Sequence, residues 1–300
     1  MHIWLLGTNG QIGHQLKNPL SSLGQVHPFT RQDADFGSPQ TLKKLFESKA
    51  PEIIINAAGY TKVDNAELES QLAHTINVDA VEVLAKEAKK NNSLLIHYST
   101  DYIFDGQTNT AYEEKAKANP LNIYGMTKYH SEEVIKQSGC QYLIFRTGWV
   151  YANRGRNFIH SLINLIKEHQ EIRIVNDQIG TPTSAELIAK LTILSIQKAL
   201  LKKENQPIQE TYHLSARGQT SWYNYASFIL KTFKDAGLNY STQLVPVSTK
   251  DYNSPALRPS FSVLNSAKLS KELDFEIPTW DILVKPTLLS LAALLENPVF

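Results

Sequence analysis

The chain has 300 residues, of which 42% are hydrophobic and 20% are charged, and its formal net charge is +1. This composition is that of a soluble globular protein, and the small net charge gives no reason to expect a nucleic acid or an anionic membrane as a partner. The single cysteine, Cys140, excludes an intramolecular disulfide framework and a multi-cysteine zinc site. Because the sequence shows neither a signal peptide nor a bilayer-length apolar run, we expect a cytoplasmic protein with no membrane partner.

The N-terminal segment has the order strand, glycine-rich turn, helix. Ile3-Trp4-Leu5-Leu6 predicts a short strand, and glycines follow it at a spacing of three residues. In a dinucleotide-binding turn the first glycine permits the bend, the second lets a pyrophosphate approach the backbone, and the third lets the helix pack on the strand. A plain loop with three glycines is the alternative, but the flanking strand and helix favour a binding site. The predicted cofactor contacts in this turn are Gly7, Asn9, Gly10, Gln11, Ile12 and Gly13.

The second predicted strand, Val26-His27-Pro28-Phe29, ends at Thr30-Arg31-Gln32-Asp33. An acidic residue at this place favours NAD, whereas a nearby arginine accommodates the 2′-phosphate of NADP. Arg31 is the nearest charged residue, so we predict a preference for NADPH. If Arg31 is only a surface side chain, NADH remains the alternative.

Three further apolar runs predict strands that alternate with helices. Ile53-Ile54-Ile55 is β-branched throughout and precedes the small residues Ala57 and Ala58, against which a flat cofactor can lie. Leu94-Leu95-Ile96 leads to Ser99 and Thr100, and Tyr142 to Thr147 predicts the fifth strand. This alternation predicts an α/β fold with a doubly wound, Rossmann-type parallel sheet.

Thr100, Tyr124 and Lys128 could form a proton-transfer site. Thr100 follows a predicted strand, and ligands bind at the carboxyl ends of strands in open α/β sheets. Tyr124 and Lys128 are four residues apart and share one face of a predicted helix. A nearby ammonium group lowers the pKa of a phenol, which could then pass a proton to a carbonyl oxygen held by Thr100. A solvated helix face is the alternative, but the N-terminal turn favours a reductase.

Beyond residue 150 the pattern of strands and helices loosens, and no linker separates the two halves. We predict an NADP-binding domain at 1–150, with later returns near 176–200 and 210–216. The segments 151–175 and 217–300 are predicted to form a smaller α/β substrate-binding lobe.

Taken together, these motifs resemble those of the dTDP-4-dehydrorhamnose reductases, a family of extended short-chain dehydrogenases/reductases. The match runs nearly end to end, through Gly7 to Gly13, Asn56 to Asp64, Ser99 to Gly106, Tyr124 to Lys128, Arg146 to Tyr151, Asn157-Phe158, Asn176 to Thr183 and Arg258-Pro259 with Ser262 and Leu264. The resemblance implies NADPH-dependent reduction of the 4-keto group of dTDP-4-dehydro-6-deoxy-L-mannose to dTDP-L-rhamnose. Thr100, Tyr124 and Lys128 match the catalytic threonine, tyrosine and lysine of the family.

The resemblance also implies roles that spacing alone does not assign. Asp35-Phe36 matches the acidic-apolar pair that cups adenine, and Asn77 matches an asparagine that bridges a helix kink. The other cofactor contacts expected past the third strand are Ala57, Ala58 and Tyr60. The expected substrate contacts are Thr61, Val63, Thr100, Asp101, Tyr102, Trp149, Asn157, Gln178 and Arg258. A core position is the alternative for Trp149, and loop or capping hydrogen bonds are the alternative for Asn157, Gln178 and Arg258.

Two residues depart from the family pattern, because Gly59 stands where alanine is usual and Gly148 where serine is usual. The second departure removes a hydroxyl group beside the expected sugar pocket. Some members of the family use Mg²⁺ at a dimer interface, for which Glu186 and Glu296 are candidates here. We predict no metal site, and we leave Mg²⁺ dependence and a homodimer open.

Two other functions fit the same motifs. A related nucleotide-sugar 4-ketoreductase of another deoxysugar would use the same three catalytic residues. A non-catalytic homologue, such as the regulatory subunit of methionine adenosyltransferase, would bind NADP and act as a partner protein.

Overall fold

The apolar runs of the sequence form strands, and the periodic segments between them form helices. The computed structural model describes residues 1–47, 50–201, 207–238 and 240–296, with only the backbone of Glu296. The strands are β1 (His2–Leu6), β2 (Gln25–Phe29), β3 (Ile53–Asn56), β4 (Leu94–Thr100), β5 (Gln141–Thr147), β6 (Val150–Tyr151), β7 (Glu171–Val175), β8 (Ile179–Gly180), β9 (Thr183–Ser184), β10 (Gln209–His213), β11 (Thr220–Ser221) and β12 (Gln243–Val247). The helices are α1 (Gln11–Lys17), α2 (Pro39–Leu45), α3 (Val63–Leu68), α4 (Ser70–His74), α5 (Ala80–Lys90), α6 (Ile123–Ser138), α7 (Phe158–Glu168), α8 (Ala185–Leu200), α9 (Trp222–Asp235), α10 (Thr249–Tyr252), α11 (Ala267–Leu273) and α12 (Trp280–Glu296).

Six strands form a parallel sheet in the order β10-β5-β4-β3-β1-β2. The prediction of a doubly wound parallel sheet is confirmed. The chain leaves β1 to one side to form β2 and returns to the other side to form β3, so the strand order reverses between β1 and β3. Ligands of open α/β sheets bind at such a reversal, outside the carboxyl ends of the strands. The glycine turn follows β1, and the segment Asn56 to Ala58 follows β3, at that edge.

Apolar side chains cover both faces of this sheet. On one face Leu5 and Ile55 pack with Leu16 of α1 and Ile188 of α8. On the other face the cluster includes Ile54 together with residues of α2, α5 and α6. Since both faces are covered, the carboxyl-end edge remains as the place for a site.

A third apolar cluster lies outside the sheet. It joins α7, β7, α9 and α12, with Ile163, Ile174, Ile229 and Leu288 among its members. The short strand β7 pairs in parallel with β12 rather than with the central sheet. The segments near 176–200 and 210–216 were predicted to return to the first domain. In the structure α8 packs on the central sheet, and β10 pairs with β5. Leu269 of α11 belongs to the apolar cluster on one face of the sheet. The predicted domain boundaries stay a prediction.

No helix within the described part of the chain combines the length and apolarity needed to cross a membrane.

Candidate active site

The glycines of the turn after β1 allow a close approach of backbone segments. Gly7 has a φ of 80°, and a Cβ atom there would lie 2.6 Å from the amide nitrogen of Ala58. A Cβ atom at Gly13 would overlap the carbonyl oxygen of Gly7, so the third glycine lets α1 start close to the strand. The amide of Gly10 donates to the carbonyl of Gly7 at 3.0 Å and closes the turn. Such a glycine turn at the start of a helix fits the pyrophosphate of a dinucleotide.

A cavity of about 250 Å³ lies between this turn and the ends of β2 and β3. The predicted cofactor residues that line it are Gly7, Asn9, Gly10, Arg31, Asp35, Phe36, Ala57 and Ala58. The guanidinium group of Arg31 lies 3.5 Å from the carboxylate of Asp35, and its side chain is 80% exposed. Because it is exposed, the Arg31 side chain can contact a phosphate group at the mouth of this cavity.

A second cavity, of about 430 Å³, holds the predicted catalytic residues. Its lining includes the predicted residues Gly10, Gln11, Ile12, Ala57, Ala58, Thr61, Val63, Thr100, Asp101, Tyr102, Tyr124, Lys128 and Trp149. Gly10, Ala57 and Ala58 line both cavities, so the two are neighbours along one edge of the sheet. A dinucleotide that spans both would reach from Arg31 to Thr100, Tyr124 and Lys128.

Tyr124 is held as a neutral phenol by its surroundings. Burial raises its pKa to about 12, the carboxylate of Asp101 adds to that rise, and a hydrogen bond with Thr100 opposes it. We expected Lys128 to lower this pKa, but in this structure burial outweighs other effects. Burial also raises the pKa of Asp101 to about 6. Tyr124 therefore carries its proton at neutral pH and can donate it.

Thr100 ends β4 and starts the turn that follows. Its hydroxyl group donates to the carboxylate of Asp101 at 3.1 Å and accepts from the amide of Tyr102 at 3.2 Å. These contacts fix the side chain next to Tyr124. Thr100 would bind a carbonyl oxygen together with the phenol when its hydroxyl proton turns from Asp101 to that oxygen.

Lys128 is buried on α6, and its Nζ lies 3.0 Å from Nε2 of His97. Burial lowers the pKa of Lys128 to about 7, against the opposing effect of the Glu132 carboxylate. His97 is also fully buried, and burial together with Lys128 holds its pKa well below the usual value. The imidazole is therefore neutral.

The neighbours of His97 fix which ring nitrogen carries the proton. The amide oxygen of Asn56 accepts from the amide of Ala58 at 3.1 Å, so the NH₂ group of Asn56 faces Nδ1 of His97 at 3.1 Å. Nδ1 is thus the acceptor, and the proton of the neutral ring lies on Nε2. That Nε2 lies 3.0 Å from the hydroxyl of Ser131, which itself donates to the carbonyl of Lys128 at 2.6 Å.

Asn77 lies where the helix between α4 and α5 widens into a π-turn, Thr75–Asp79. Its side-chain oxygen accepts from the amide of Tyr60 at 2.8 Å, and its NH₂ group donates to the carbonyl of Tyr60 at 3.1 Å. The NH₂ group also donates to the hydroxyl of Thr127, at 2.9 Å, between Tyr124 and Lys128 on α6. Asn77 therefore ties the segment after β3 to the catalytic helix. Tyr60 itself lines neither cavity, and its hydroxyl donates to Glu69 at 2.5 Å.

A buried ion pair lies below Lys128. Arg146 of β5 contacts both oxygens of the Glu132 carboxylate, at 2.9 and 2.7 Å. The hydroxyl group of Ser99 donates to the same carboxylate at 2.6 Å. Ser99 thus supports the site through Glu132, and Thr100 is the strand-end hydroxyl that contacts Tyr124.

Trp149 has a left-handed backbone, with a φ of 48°, and its ring closes one side of the catalytic cavity. The ring stacks on Trp222 of α9 with centroids 3.4 Å apart and planes 3° from parallel. A Cβ atom at Gly180 would overlap the Trp149 ring. Trp222 and Arg156 also line this cavity, and sequence reasoning missed both, because only tertiary packing brings them to the strand ends.

Three predicted substrate residues do not line either cavity. Asn157 caps α7 and donates to the side chain of Gln11 at 2.9 Å. Gln178 donates to the hydroxyl of Thr249 at 3.0 Å, and Arg258 pairs with Asp64 at 2.7 Å. Their roles as substrate contacts stay predictions.

The two glycines that depart from the family pattern have close neighbours. A Cβ atom at Gly148 would overlap the carboxylate of Asp101, and one at Gly59 would lie 3.3 Å from the side-chain oxygen of Asn77. Glycine at 148 therefore makes room for the Asp101 side chain as it is placed here.

Across the described residues, no three His, Cys, Asp or Glu side chains are grouped so that they could hold a metal ion. Glu186 is exposed in the first turn of α8, whereas the side chain of Glu296 lies outside the described residues. The absence of a metal site stays a prediction.

Comparisons with known proteins agree with this geometry. The family model described as the RmlD substrate binding domain matches residues 1–292. The chain is 39% identical over 284 residues to a dTDP-4-dehydrorhamnose reductase of Burkholderia thailandensis, covering 93% of this chain and 95% of that protein. A crystal structure of a dTDP-4-dehydrorhamnose reductase from Clostridium acetobutylicum has a TM-score of 0.87 at 32% identity and covers 99% of this chain and 100% of that one. The enzyme of the same name from Bacillus anthracis, crystallised with NADP, has a TM-score of 0.86 at 32% identity, with coverages of 96% and 99%. The chain therefore belongs to the dTDP-4-dehydrorhamnose reductase family.

Proposed function

We propose that this chain reduces the 4-keto group of dTDP-4-dehydro-6-deoxy-L-mannose to the hydroxyl of dTDP-L-rhamnose, with NADPH as the reductant. The observation that carries the proposal is the presence of Thr100, Tyr124 and Lys128 in one cavity, next to the glycine turn. The names of the relatives support the choice of substrate. NADP in the Bacillus anthracis structure and the exposed Arg31 support the choice of cofactor.

Thr100, Tyr124 and Lys128 have different roles in the proposed reduction. NADPH, when bound, supplies the hydride that reaches the keto carbon. Thr100 and Tyr124 hydrogen-bond the keto oxygen and hold the carbonyl in line, and Tyr124 donates its proton to that oxygen. Its high pKa ensures that the proton is present at neutral pH before the reaction. Lys128, four residues along the same helix, has its pKa lowered to about 7 in the ligand-free chain. The negative charge of the forming phenolate favours the protonated lysine, which then supplies positive charge beside it.

The finer assignments belong to the same proposal. We propose that Trp149 lines the sugar pocket. The proposed cofactor contacts are Gly7, Asn9, Gly10, Gln11, Ile12, Gly13, Arg31, Asp35, Phe36, Ala57, Ala58, Tyr60, Tyr124 and Lys128. The third apolar cluster, around α7, α9 and α12, would form the substrate lobe beside the sheet. A cytoplasmic location fits the single free, buried cysteine, and a homodimer is compatible with the family.

The test is an assay of NADPH oxidation with enzymatically generated dTDP-4-dehydro-6-deoxy-L-mannose. We expect turnover by the wild-type chain, with dTDP-L-rhamnose identified as the product. A different reduced deoxysugar would favour the related 4-ketoreductase. NADPH binding without turnover would favour the non-catalytic, regulatory homologue.

Replacement of the proton donor gives the second test. Tyr124→Phe should lower kcat by about 10²-fold or more while the Kd for NADPH changes little. Tyr129→Phe is the matched control, because Tyr129 is on the same helix but lines neither cavity. Equal activity of Tyr124→Phe and wild type would show that the proton comes from another group.

A further inference from the structure

Thr147 is a buried residue of the catalytic cavity whose hydroxyl group the protein leaves unused. It is the last residue of β5, and its side chain is among those that line the cavity. The residue is 5% exposed. Among the described residues its Oγ1 is one of three buried side-chain atoms with no hydrogen-bond partner in the protein.

The other two such atoms differ from it in their surroundings. They are the hydroxyls of Tyr151 and Tyr225, both members of the third apolar cluster, and neither residue lines the catalytic cavity. An unpaired buried hydroxyl is costly, and buried polar groups are paired in most proteins. When such a hydroxyl belongs to a residue that lines a ligand cavity, a bound ligand can supply the missing hydrogen bond.

The sheet places Thr147 next to Thr100, one of the proposed catalytic residues. Thr147 pairs in register with Thr100 across β4 and β5, so the two side chains leave the same face of the sheet. The next residue, Gly148, has no side chain to block access. Gln11 of the glycine turn and Arg156, which precedes α7, line the same cavity as Thr147.

We propose that Thr147 is a further ligand-binding residue of this active site, and that its Oγ hydrogen-bonds a polar group of a bound reactant. The partner is either the carboxamide of the nicotinamide or a hydroxyl of the keto-sugar, since a hydroxyl group can donate to one and accept from the other. This inference rests on the proposed function for its ligands. The role of Thr147 is additional to the proposed function, which requires only Thr100, Tyr124 and Lys128.

Two variants separate the hydroxyl from the shape of the side chain. Thr147→Val keeps the volume and removes the hydroxyl, whereas Thr147→Ser keeps the hydroxyl. Because the protein offers the hydroxyl no partner, Thr147→Val should leave the ligand-free stability unchanged or raise it. Thr232→Val is the contrasting control, since the buried hydroxyl of Thr232 donates to the carbonyl of Phe228 at 2.9 Å and lies far along α9. That control should lower the stability and leave ligand binding as in the wild type.

Ligand measurements then identify the partner. A rise of about tenfold in the Kd for NADPH of Thr147→Val, which corresponds to about 1.4 kcal/mol, assigns the hydrogen bond to the nicotinamide. An unchanged Kd with a similar loss in kcat/KM for the keto-sugar assigns it to the sugar. In either case Thr147→Ser should recover most of the affinity. The proposal is overturned if both quantities match the wild type, or if Thr147→Val loses as much ligand-free stability as Thr232→Val. Absence of wild-type turnover would overturn the proposed function instead, and the NADPH measurement would still decide the role of Thr147.

Discussion

The amine of Lys128 faces the protonated nitrogen of a neutral histidine, because Nζ lies 3.0 Å from Nε2 of His97 and Asn56 holds Nδ1 as the acceptor. The Nε2 proton points to the hydroxyl of Ser131 and Nε2 has no free lone pair, so His97 accepts no hydrogen bond from a Lys128 ammonium group. This arrangement matches the lowered pKa of Lys128, to about 7.

The state of His97 can be measured directly. We expect its imidazole to stay neutral with the proton on Nε2 between pH 6 and 8, the range in which an unperturbed histidine changes charge. Two-bond ¹H–¹⁵N correlation spectra of protein labelled with [¹⁵N]histidine report the tautomer. His97→Gln identifies the resonance among the nine histidines. A proton on Nδ1, or titration within this range, would contradict the hydrogen-bond assignment.

Lys128 should make the stability of the protein depend on pH. Its pKa is about 7 in the folded chain against an ordinary value of 10.5, so between these values the unfolded chain binds a proton that the folded chain does not. Stability from this residue therefore rises with pH across that window. Comparison with Lys128→Met by urea unfolding at pH 7, 8 and 9 removes the contribution of all other groups. The free energy of unfolding of the wild type, minus that of the variant, should rise by up to about 1.4 kcal/mol for each pH unit. A constant or falling difference would show that the buried lysine remains charged.

The ion pair between Glu132 and Arg146 should matter far more than a neighbouring one at the surface. Glu132→Gln removes the charge opposite a buried guanidinium and should lower the free energy of unfolding by roughly 3–5 kcal/mol. Glu133→Gln is the matched control, because Glu133 is the adjacent residue, its side chain is 35% exposed, and its pair with Lys136 is worth about 0.5 kcal/mol or less. Urea unfolding at pH 7 compares the two. Similar losses would mean that the buried pair is not specially required.

Arg31 should decide between the two nicotinamide cofactors. Arg31→Ala removes the exposed guanidinium at the mouth of the first cavity, so the KM for NADPH should rise about tenfold while the KM for NADH stays near its wild-type value. Arg173→Ala is a control for the loss of one positive charge, since Arg173 is exposed on β7 and lines neither cavity. An equal effect on both cofactors would place the 2′-phosphate elsewhere.

The site residues that could be predicted from the sequence are those that stand at the end of a predicted strand or directly after it. Thr100 at the end of β4 and Ala57 after β3 were found in this way, and the parallel sheet brings them together. The same rule applied to β5 would have marked Thr147, whose hydroxyl ends its strand in register with Thr100. His97 gave no such signal, because a histidine inside an apolar strand shows its partners only when Asn56 and Lys128 are placed around it.

Residues from the second half of the chain were harder to predict. Trp222 starts a helix 73 residues after Trp149 in the sequence, and only the packing of α9 brings the two rings together. Gln178 and Arg258 were expected at the substrate from their motifs, and they contact Thr249 and Asp64 in this structure, so their roles as substrate contacts stay predictions. Long-range packing thus decides which side chains reach the cavity.

The position of β10 restricts how this enzyme can be cut or recombined. β10 comes from residues 209–213, after the chain has already formed α7 and β7 outside the sheet, and it covers the edge of β5. A fragment ending after β5 would leave that strand with unpaired backbone groups and apolar side chains such as Phe145 uncovered. A chimaera that keeps β1 to β5 and α8 to β10, but takes the segment from α7 to β7 and the segment after β10 from a relative, therefore needs three crossover points: before α7, before α8 and after β10.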